Sequence, residues 1–533
     1  STYGFPYDLT EQMAAERNLS VDVAGYEKAK QKHAENSRGA GGGDQGLQSL
    51  IEFLQKTPTD STRFEGDTEP LLNDVRALRL LQKKDSAYEP TDRLVKDAEA
   101  AIVVDRTPFY AESGGQVGDT GRIHSSRGAV FVVTDTQKVG EVVFHLGHLE
   151  EDGLEADRPP FDDDDPLMLE IDQPRRQAIM AHHTTTHLMN WALRETLGDH
   201  VQQRGSLVDD EKTRFDFSNP KPLTDEQIAE VERLVNQRIE ENLSVHAKVV
   251  DQDKALKIEG LRAVFGEKYP PRVRVVSIGP PVKKLIKKPE KKEWREYSIE
   301  FCGGTHLPQT ADAVAFSIIS EENVSKGTRR VIAVAGGKAS RAAEHVQTLE
   351  GRIDAIGGEG PESLQQDLAS CQEALQCITV PLRDRHRLLD KIAALHAELK
   401  QHRKTVGKDA EAAVVAQARQ IAEKTQDDLI VADLEGADAD SLRKAMDVIR
   451  SKKPDAAMLI ASASAEKVAF LAAVPEPMIQ RGLKAGDWVR EVAKVAGGGG
   501  GGRPDMAQAG GKNPARLNDA LERARAYAEE ALS

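Results

Sequence analysis

His183 and His187 stand four residues apart in the run AHHTTTHLMNWALRETLGDHVQQRGS, Ala181–Ser206, and Cys302 and His306 repeat that spacing in FCGGTH, Phe301–His306. On a helix, the i, i+4 spacing puts two imidazoles on one face, a turn apart. Across Gly303-Gly304 the same spacing describes a tight turn. Two imidazoles, a potential thiolate and a third imidazole make a nitrogen/sulfur donor set that suits zinc. HxxxH alone is a weak signal, and a buried cysteine with scattered histidines is the ordinary alternative. The two pairs together predict one metal centre assembled from segments far apart in the chain. It is not a zinc-protease centre. HExxH needs a glutamate after the first histidine as general base, and here that position is Thr184, the first of three consecutive threonines.

These donors need elements to hold them. A helix is expected from just after Pro174 to about Leu197, stopped by Gly198, with Ile179, Met180 and Leu193 toward the core. Val208–Phe217 reads as a strand. Thr224–Leu243 is an amphipathic helix capped by Thr224, with Asp225 and Glu226 in its first turn. Strands at Val245–Val250 and Val273–Ile278 lead into FCGGTH, and two more follow at Ala313–Ser320 and Thr328–Val334. The expectation is an α+β domain with histidines on a helix and Cys302/His306 on a loop.

On the N-terminal side, Asp92 to about Pro160 consists of short alternating runs separated by glycines and charged turns, which predicts a small β-barrel or sandwich. Inside it, TPFYAESGGQVGDTG (Thr107–Gly121) reads as a structural turn. Ser1–Ser37 carries possible helix caps at Asp8, Thr10 and Asp22. Arg38–Gly46 reads as a flexible glycine-rich linker, Leu47–Leu54 as a helix, Pro58–Pro70 as a loop and FDDDD (Phe161–Asp165) as an acidic linker. On the C-terminal side, Gly337 to about Glu423 is helical. Leu364, Leu368, Cys371 and Leu375, then Leu388, Ile392, Leu395 and Leu399 after Pro381, step as heptads do, which suggests a helical hairpin or a dimer seam. From about Gln426 the chain alternates strand, helix (Ser441–Ser451) and strand, an α/β pattern. Six glycines at Gly497–Gly502, Gly510-Gly511-Lys512 and a helix at Pro514–Leu532 suggest a backbone-lined anion site.

The chain has 533 residues, 39% hydrophobic and 30% charged, with a formal net charge of −15. That composition fits a soluble, helix-rich chain of several domains. The net charge does not advertise nucleic-acid binding, so a polyanionic partner must meet a local basic patch. Lys283, Lys284, Lys287, Lys288, Lys291 and Lys292 form such a patch, with a solvated insertion as the equal alternative. Three cysteines (Cys302, Cys371, Cys377) argue against a disulfide framework and for a reducing compartment. No run approaches a transmembrane length, and no signal-peptide pattern is present. The first residue is Ser, as expected of a piece of a longer protein.

HTTTHLM, QRGSLV (Gln203–Val208), RFDFS (Arg214–Ser218), FGEKY (Phe265–Tyr269), CGGTH and the Thr107–Gly121 run resemble the editing region of the alanine–tRNA ligase (alanyl-tRNA synthetase) family and its free-standing editing relatives. The resemblance extends over nearly the whole chain in family order. It implies residues 1–62 as the end of a helical tRNA-recognition region and linker, 63–165 as a small β-barrel and 166–340 as a zinc-containing editing domain. Residues 341–425 would be a helical hairpin or coiled coil, and 426–533 a glycine-rich C-terminal tRNA-binding domain. It implies an α+β multidomain aminoacyl-tRNA deacylase that hydrolyses Ser-tRNA(Ala) and Gly-tRNA(Ala), with one Zn2+ on His183, His187, Cys302 and His306. Thr186, Gln203 and Ser206 would line the pocket for the amino acid and terminal adenosine. The Thr107–Gly121 run would have a scaffold or acceptor-stem-facing role, not a catalytic one. The aminoacylation core, with ATP and Mg2+, would lie in a missing N-terminal part. Partners implied are tRNA(Ala) and a second copy through the C-terminal region, in the cytoplasm, with no membrane or DNA. The C-terminal domain is similar to one shared with phosphoesterases, but the Asp-His-His motif those enzymes need is absent.

Overall fold

The computed structural model describes residues 44–67, 69–152, 161, 165–263, 269–356 and 361–533. The caps at Asp8, Thr10 and Asp22, the rest of Ser1–Ser37, residues 38–43 of the expected linker Arg38–Gly46, the middle of FDDDD and all of FGEKY but Tyr269 lie outside the described residues. These residues form two compact units, one comprising those up to Ala355 with Ser370–Asp390, the other Ile356–Ala369 with Lys391–Ser533. No helix among them is long and apolar enough to cross a membrane.

The first unit opens with helix α1 (Asp44–Lys56), then strands β1 (Arg63–Phe64), β2 (Leu71–Val75), β3 (Ala77–Lys84), β4 (Ala87–Pro90), β5 (Glu99–Val104), β6 (Arg106–Thr107), β7 (Gly121–Ser125), β8 (Ala129–Val139), β9 (Val142–Asp152) and β10 (Leu167–Ile171). Eight of them form one sheet in the order β2-β10-β7-β8-β9-β5-β3-β4. The expected small barrel does not close, because β2 and β4 remain edges among the described residues. The reason is legible in β5, where five consecutive residues are buried. Ala100, Ile102 and Val104 pack one face against Phe109, Phe131 and Phe161, while Ala101 and Val103 pack the other against Leu50, Phe53 and Phe144. A sheet apolar on both faces is covered on both, whereas a small barrel needs only one apolar interior.

The same unit continues through α2 (Gln173–Leu197), β11 (Gln203–Val208), β12 (Thr213–Ser218), α3 (Asp225–Glu240), β13 (Val245–Asp251), α4 (Gln252–Ala255), β14 (Arg272–Ile278), α5 (Val282–Lys287), β15 (Ser298–Phe301), β16 (Phe316–Ser325), β17 (Thr328–Ala335) and α6 (Gly337–Asp354). Asp172 caps α2 by accepting from the Arg175 N–H, and Gly198 ends it at φ 110°. Thr224 and Gln227 close a capping box on α3. Both helices pack on the sheet β11-β12-β17-β16 through Leu188, Leu193, Val231, Val235, Phe215 and Phe217. Val208–Phe217 is a hairpin rather than one strand: the Asp209 carboxylate accepts from the Glu211 and Lys212 N–H groups at 2.8 and 2.7 Å, an Asx-type turn that reverses the chain. A three-stranded sheet, β13-β14-β15, carries its own core of Val273, Val275, Leu285, Trp294 and Ile299.

Helices α7 (Pro361–Cys377) and α8 (Leu382–Lys424) confirm the helical stretch, the second starting directly after Pro381. Beyond them come β18 (Leu429–Asp433), α9 (Ala439–Lys452), β19 (Ala457–Ala463), β20 (Val468–Ala473), α10 (Glu476–Gln480), α11 (Ala485–Val495), β21 (Gly499–Gly502), β22 (Met506–Gly511) and α12 (Leu517–Leu532). The sheet order is β18-β19-β20-β22-β21, with only β18-β19 parallel. Trp488 anchors one face and Met446 the other. The glycine run expected to line an anion site is instead an edge strand. A Cβ at Gly498, Gly500 or Gly502 would lie 1.8 Å from Gly510 O, 2.4 Å from Ala509 Cα or 2.7 Å from Ala507 Cα. Close backbone packing accounts for those glycines.

Candidate metal centre

The middle of α2 buries seven polar residues in succession with its apolar ones: His182, His183, Thr184, Thr185, Thr186, His187 and Asn190. Buried polar groups require partners, and here most of those partners come from elsewhere in the chain. The turn after β15 brings Cys302 and His306 to His183 and His187, and one donor atom from each of the four lies within 4.8 Å of the others. Cys302 Sγ is 3.3 Å from His183 Nε2 and 3.4 Å from His306 Nε2. The three imidazole centroids are 4.3 to 5.1 Å apart.

A surrounding layer orients these rings. Gln116 Oε1 accepts from His183 Nδ1–H at 2.7 Å and from Thr305 N–H at 2.9 Å, while Gln116 Nε2 donates to Thr305 Oγ1 at 2.9 Å. The proton on His183 is therefore on Nδ1, leaving the Nε2 lone pair toward the centre. Thr184 Oγ1 lies 3.3 Å from His306 Nδ1 and accepts from the Leu307 N–H. His187 Nδ1 is buried without a hydrogen-bond partner among the described residues, and its Nε2 is 3.6 Å from Glu300 Oε2. Asn190 Nδ2 fixes Glu300 at 2.9 Å. Arg274 donates to the carbonyls of Cys302 (3.1 Å) and Gly304 (2.8 Å) and so holds the turn. Gly304 is required sterically, since a Cβ there would lie 2.2 Å from His183 Cε1; at Gly303 it would meet nothing within 4 Å.

Burial sets the protonation states. It pushes His183 and His306 well below the usual imidazole range, helped by the neighbouring imidazoles and Arg274, and takes His187 down to about 3. Burial pushes the Cys302 thiol up to about 12 and the Glu300 carboxyl up to about 7. Three neutral imidazoles and one thiol, with an orphaned ring nitrogen among them, fit a soft divalent cation. The cation's own charge would ionise the thiol that burial alone keeps protonated.

Above the donors opens a cleft of about 660 Å³. Thr186, Gln203 and Ser206 all line it, as do His183, His187 and Cys302. Thr186 Oγ1 donates to His182 O at 2.7 Å and lies 2.6 Å from Thr213 Oγ1. Gln203 and Ser206 are half-buried on β11. One wall is the Tyr110–Gly115 turn, whose Gly115 packs so closely on β11 that a Cβ would lie 2.5 Å from Ser206 O. The Thr107–Gly121 run is thus more than a distant scaffold, because its Gln116 grips a member of the donor set. Sequence reasoning missed that residue. Its one local signal was a glutamine set among three glycines, Gly114, Gly115 and Gly118; that it is fully buried emerges only in the fold. Asp119 anchors the run from beneath, paired with buried Arg176, whose guanidinium also donates to Gly66 O and Pro108 O at 2.8 and 2.9 Å.

A family model described as tRNA synthetases class II (A) matches residues 1–158, one for the threonyl and alanyl tRNA synthetase second additional domain matches residues 273–332, and one for the DHHA1 domain matches residues 426–530. The first match leaves the expected absence of an aminoacylation core without support. The alanine–tRNA ligase of Paraburkholderia xenovorans is 37% identical over 535 residues, covering 100% of this chain and 54% of that protein. The cytoplasmic alanine–tRNA ligase of Dictyostelium discoideum is 36% identical over 554 residues, covering 99% of this chain and 56% of that protein. The crystal structure of the C-Ala domain from Aquifex aeolicus alanyl-tRNA synthetase is 30% identical, covering 20% of this chain and 91% of that one, at a TM-score of 0.18, so that likeness is one of sequence. The chain spans about half the length of the curated relatives it matches.

Proposed function

We propose that this chain, which belongs to the alanyl-tRNA synthetase family, hydrolyses the ester of tRNA(Ala) wrongly charged with serine or glycine, using one zinc ion held by His183, His187, Cys302 and His306. The observation that carries this reading is the convergence of four donor atoms within 4.8 Å beneath a cleft lined by Thr186, Gln203 and Ser206. When bound, zinc supplies Lewis-acid polarisation of a carbonyl or a water of lowered pKa.

The chain's own residues do the rest. Gln116 and Thr184 hold His183 and His306 in the orientation that turns their Nε2 atoms inward. Thr186 Oγ1 gives its proton to His182 O at 2.7 Å and accepts from Thr213 Oγ1 at 2.6 Å, which leaves it one further acceptor lone pair. A seryl hydroxyl can donate to it. Alanine cannot, and would forgo that hydrogen bond, worth about 0.5–1.5 kcal/mol. A synthetic site sized for alanine cannot reject serine or glycine strongly, so discrimination requires such a second site. Gln203 and Ser206 on β11 frame the terminal adenosine.

The parent protein's use of ATP and Mg2+ to charge tRNA(Ala), pairing with a second copy through the C-terminal region, and a cytoplasmic setting belong to the same reading. The test is hydrolysis of Ser-tRNA(Ala) by the purified chain. His183→Ala and Cys302→Ala should each lower the rate by about a hundredfold or more. Parental rates in both variants would make the assignment wrong.

A further inference from the structure

The three-stranded sheet of the first unit ends on an open edge. β13 pairs with β14 in one uninterrupted antiparallel register, from Val245↔Ile278 to Asp251↔Arg272. Gly279 N–H donates to Ser244 O and Gln252 N–H to Pro271 O, so the even-numbered residues of β13 carry the ladder bonds. The odd-numbered residues aim their N–H and C=O groups away from the sheet. At the start of the strand, residues 308–310 cover that edge: Val245 N–H donates to Pro308 O and Thr310 N–H to Leu243 O, both at 2.9 Å. There the cover stops. The outward backbone groups of Ala247 and Val249 have no partner among the described residues. Ala247, Lys248, Val249 and Asp251 are exposed, Val249 to 47%.

The two faces of this edge differ. Lys248 lies opposite Val275, on the face that α5 covers through Val282 and Leu285. Residues 245–297 hold 14 Lys and Arg against 7 Asp and Glu, in a chain whose net charge is −15. Exposed Lys248, Lys283, Lys287 and Lys288 make no ion pair among the described residues. The lysine segment is fixed beside the sheet: Trp294 N–H donates to Lys288 O at 2.7 Å, and the Lys284 and Lys291 ammonium groups lie 5.8 and 5.3 Å from its ring. On the opposite face stand Ala247 and Val249, paired with Val276 and Arg274.

Lysine on an edge repels neutral and basic strands, which guards against aggregation. The same charge admits an acidic strand. A nucleic-acid platform would offer a ring for a base to stack on, and Trp294, the aromatic residue beneath these lysines, is 2% exposed. A row of open N–H and C=O groups is instead what a peptide pairs with.

We infer that β13 accepts an extended acidic segment of a partner protein as an added strand along residues 247–251. Acidic side chains of that segment lie on the α5 face, toward Lys248, Lys283 and Lys287. Small β-branched ones lie beside Val249 on the other face. Main-chain bonds to Ala247 and Val249 hold the segment, and the lysines select its charge. The inference does not depend on the hydrolase reading.

The test is anisotropy of the labelled peptide EVEVEVE titrated against the full chain. Saturable binding is expected, weakening as salt rises. Lys248→Glu/Lys287→Glu should weaken it by about tenfold or more. Val249→Pro removes an outward N–H, a change that an edge strand tolerates, and should cost about tenfold. A second measurement leaves the protein untouched. N-methylation of the peptide on one alternate set of residues should cost about tenfold or more, and on the other set little, because only one of its edges meets β13. No binding of EVEVEVE, equal binding of the scrambled EEEVVVE, or equal effects of the two N-methylated sets would overturn the inference. So would a short RNA duplex that binds through Lys248 and Lys287 while the peptide does not, which would assign the lysines to nucleic acid.

Discussion

Two regions of this protein carry paired or repeated glycines next to polar residues, and they use them in opposite ways. In CGGTH, the Cβ missing from Gly304 makes room for the imidazole of His183, an ionisable side chain from another segment. At Gly498, Gly500 and Gly502, the missing Cβ atoms make room for the neighbouring backbone of β22. The first region spends its close approach on bringing chemistry together. The second spends it on sheet packing. Glycine alone does not distinguish a site from a scaffold. What the absent methyl would strike does.

The sharpest break in that comparison is within the CGGTH turn itself. Gly304→Ala should reduce deacylation of Ser-tRNA(Ala) by about a hundredfold or more and displace the metal, because His183 has no room to give. Gly303→Ala, with open space around its Cβ, should leave both near parental; steady-state kinetics on the two variants decides it. Next comes Gln116→Ala, which removes two acceptor bonds and one donor bond from the ring-orienting layer and should weaken zinc about 10–100-fold in chelator competition.

Gly500→Ala tests the other half of the contrast. Its Cβ would press on Ala509 Cα, so the C-terminal unit should lose about 1–3 kcal/mol in denaturant unfolding while deacylation of a minimal ester stays unchanged. A loss of hydrolysis there would mean that the glycine run serves chemistry after all.

A smaller effect concerns pH. Glu232 on α3 is raised to about 7, chiefly by burial, although it accepts from the Ile318 N–H at 2.8 Å. A carboxyl whose folded value lies above its unfolded one, 4.5, binds its proton more tightly when folded. Its contribution to stability is therefore full below about 4.5 and is lost as pH rises toward about 7. Glu232→Gln should flatten that part of the curve and stabilise the first unit by about 1–3 kcal/mol above neutrality, read by thermal unfolding at several pH values.

Much of the site was legible because its parts are local. The HxxxH and CxxxH spacings, the Pro174 start and Gly198 stop of α2, and the Thr224 cap of α3 are each decided within one or two turns of chain. What was not legible depends on tertiary placement. That Gln116 would reach His183, 67 positions away, cannot be read from GGQVG. Nor can the open form of the first sheet be read from strand alternation, since β7, β8 and β10 bury alternate residues as the strands of a small barrel would, while β5 is buried on both faces. The hairpin inside Val208–Phe217 is legible in principle, because four polar residues, Asp209–Lys212, interrupt the run.

The central claim is that two distant segments grip one metal ion. Its most direct test is metal stoichiometry by mass spectrometry of the purified chain beside Cys302→Ala and Gly304→Ala. The account predicts one zinc per parental chain and a large deficit in both variants. Equal metal content in all three, or none in the parent after zinc supplementation, would contradict it.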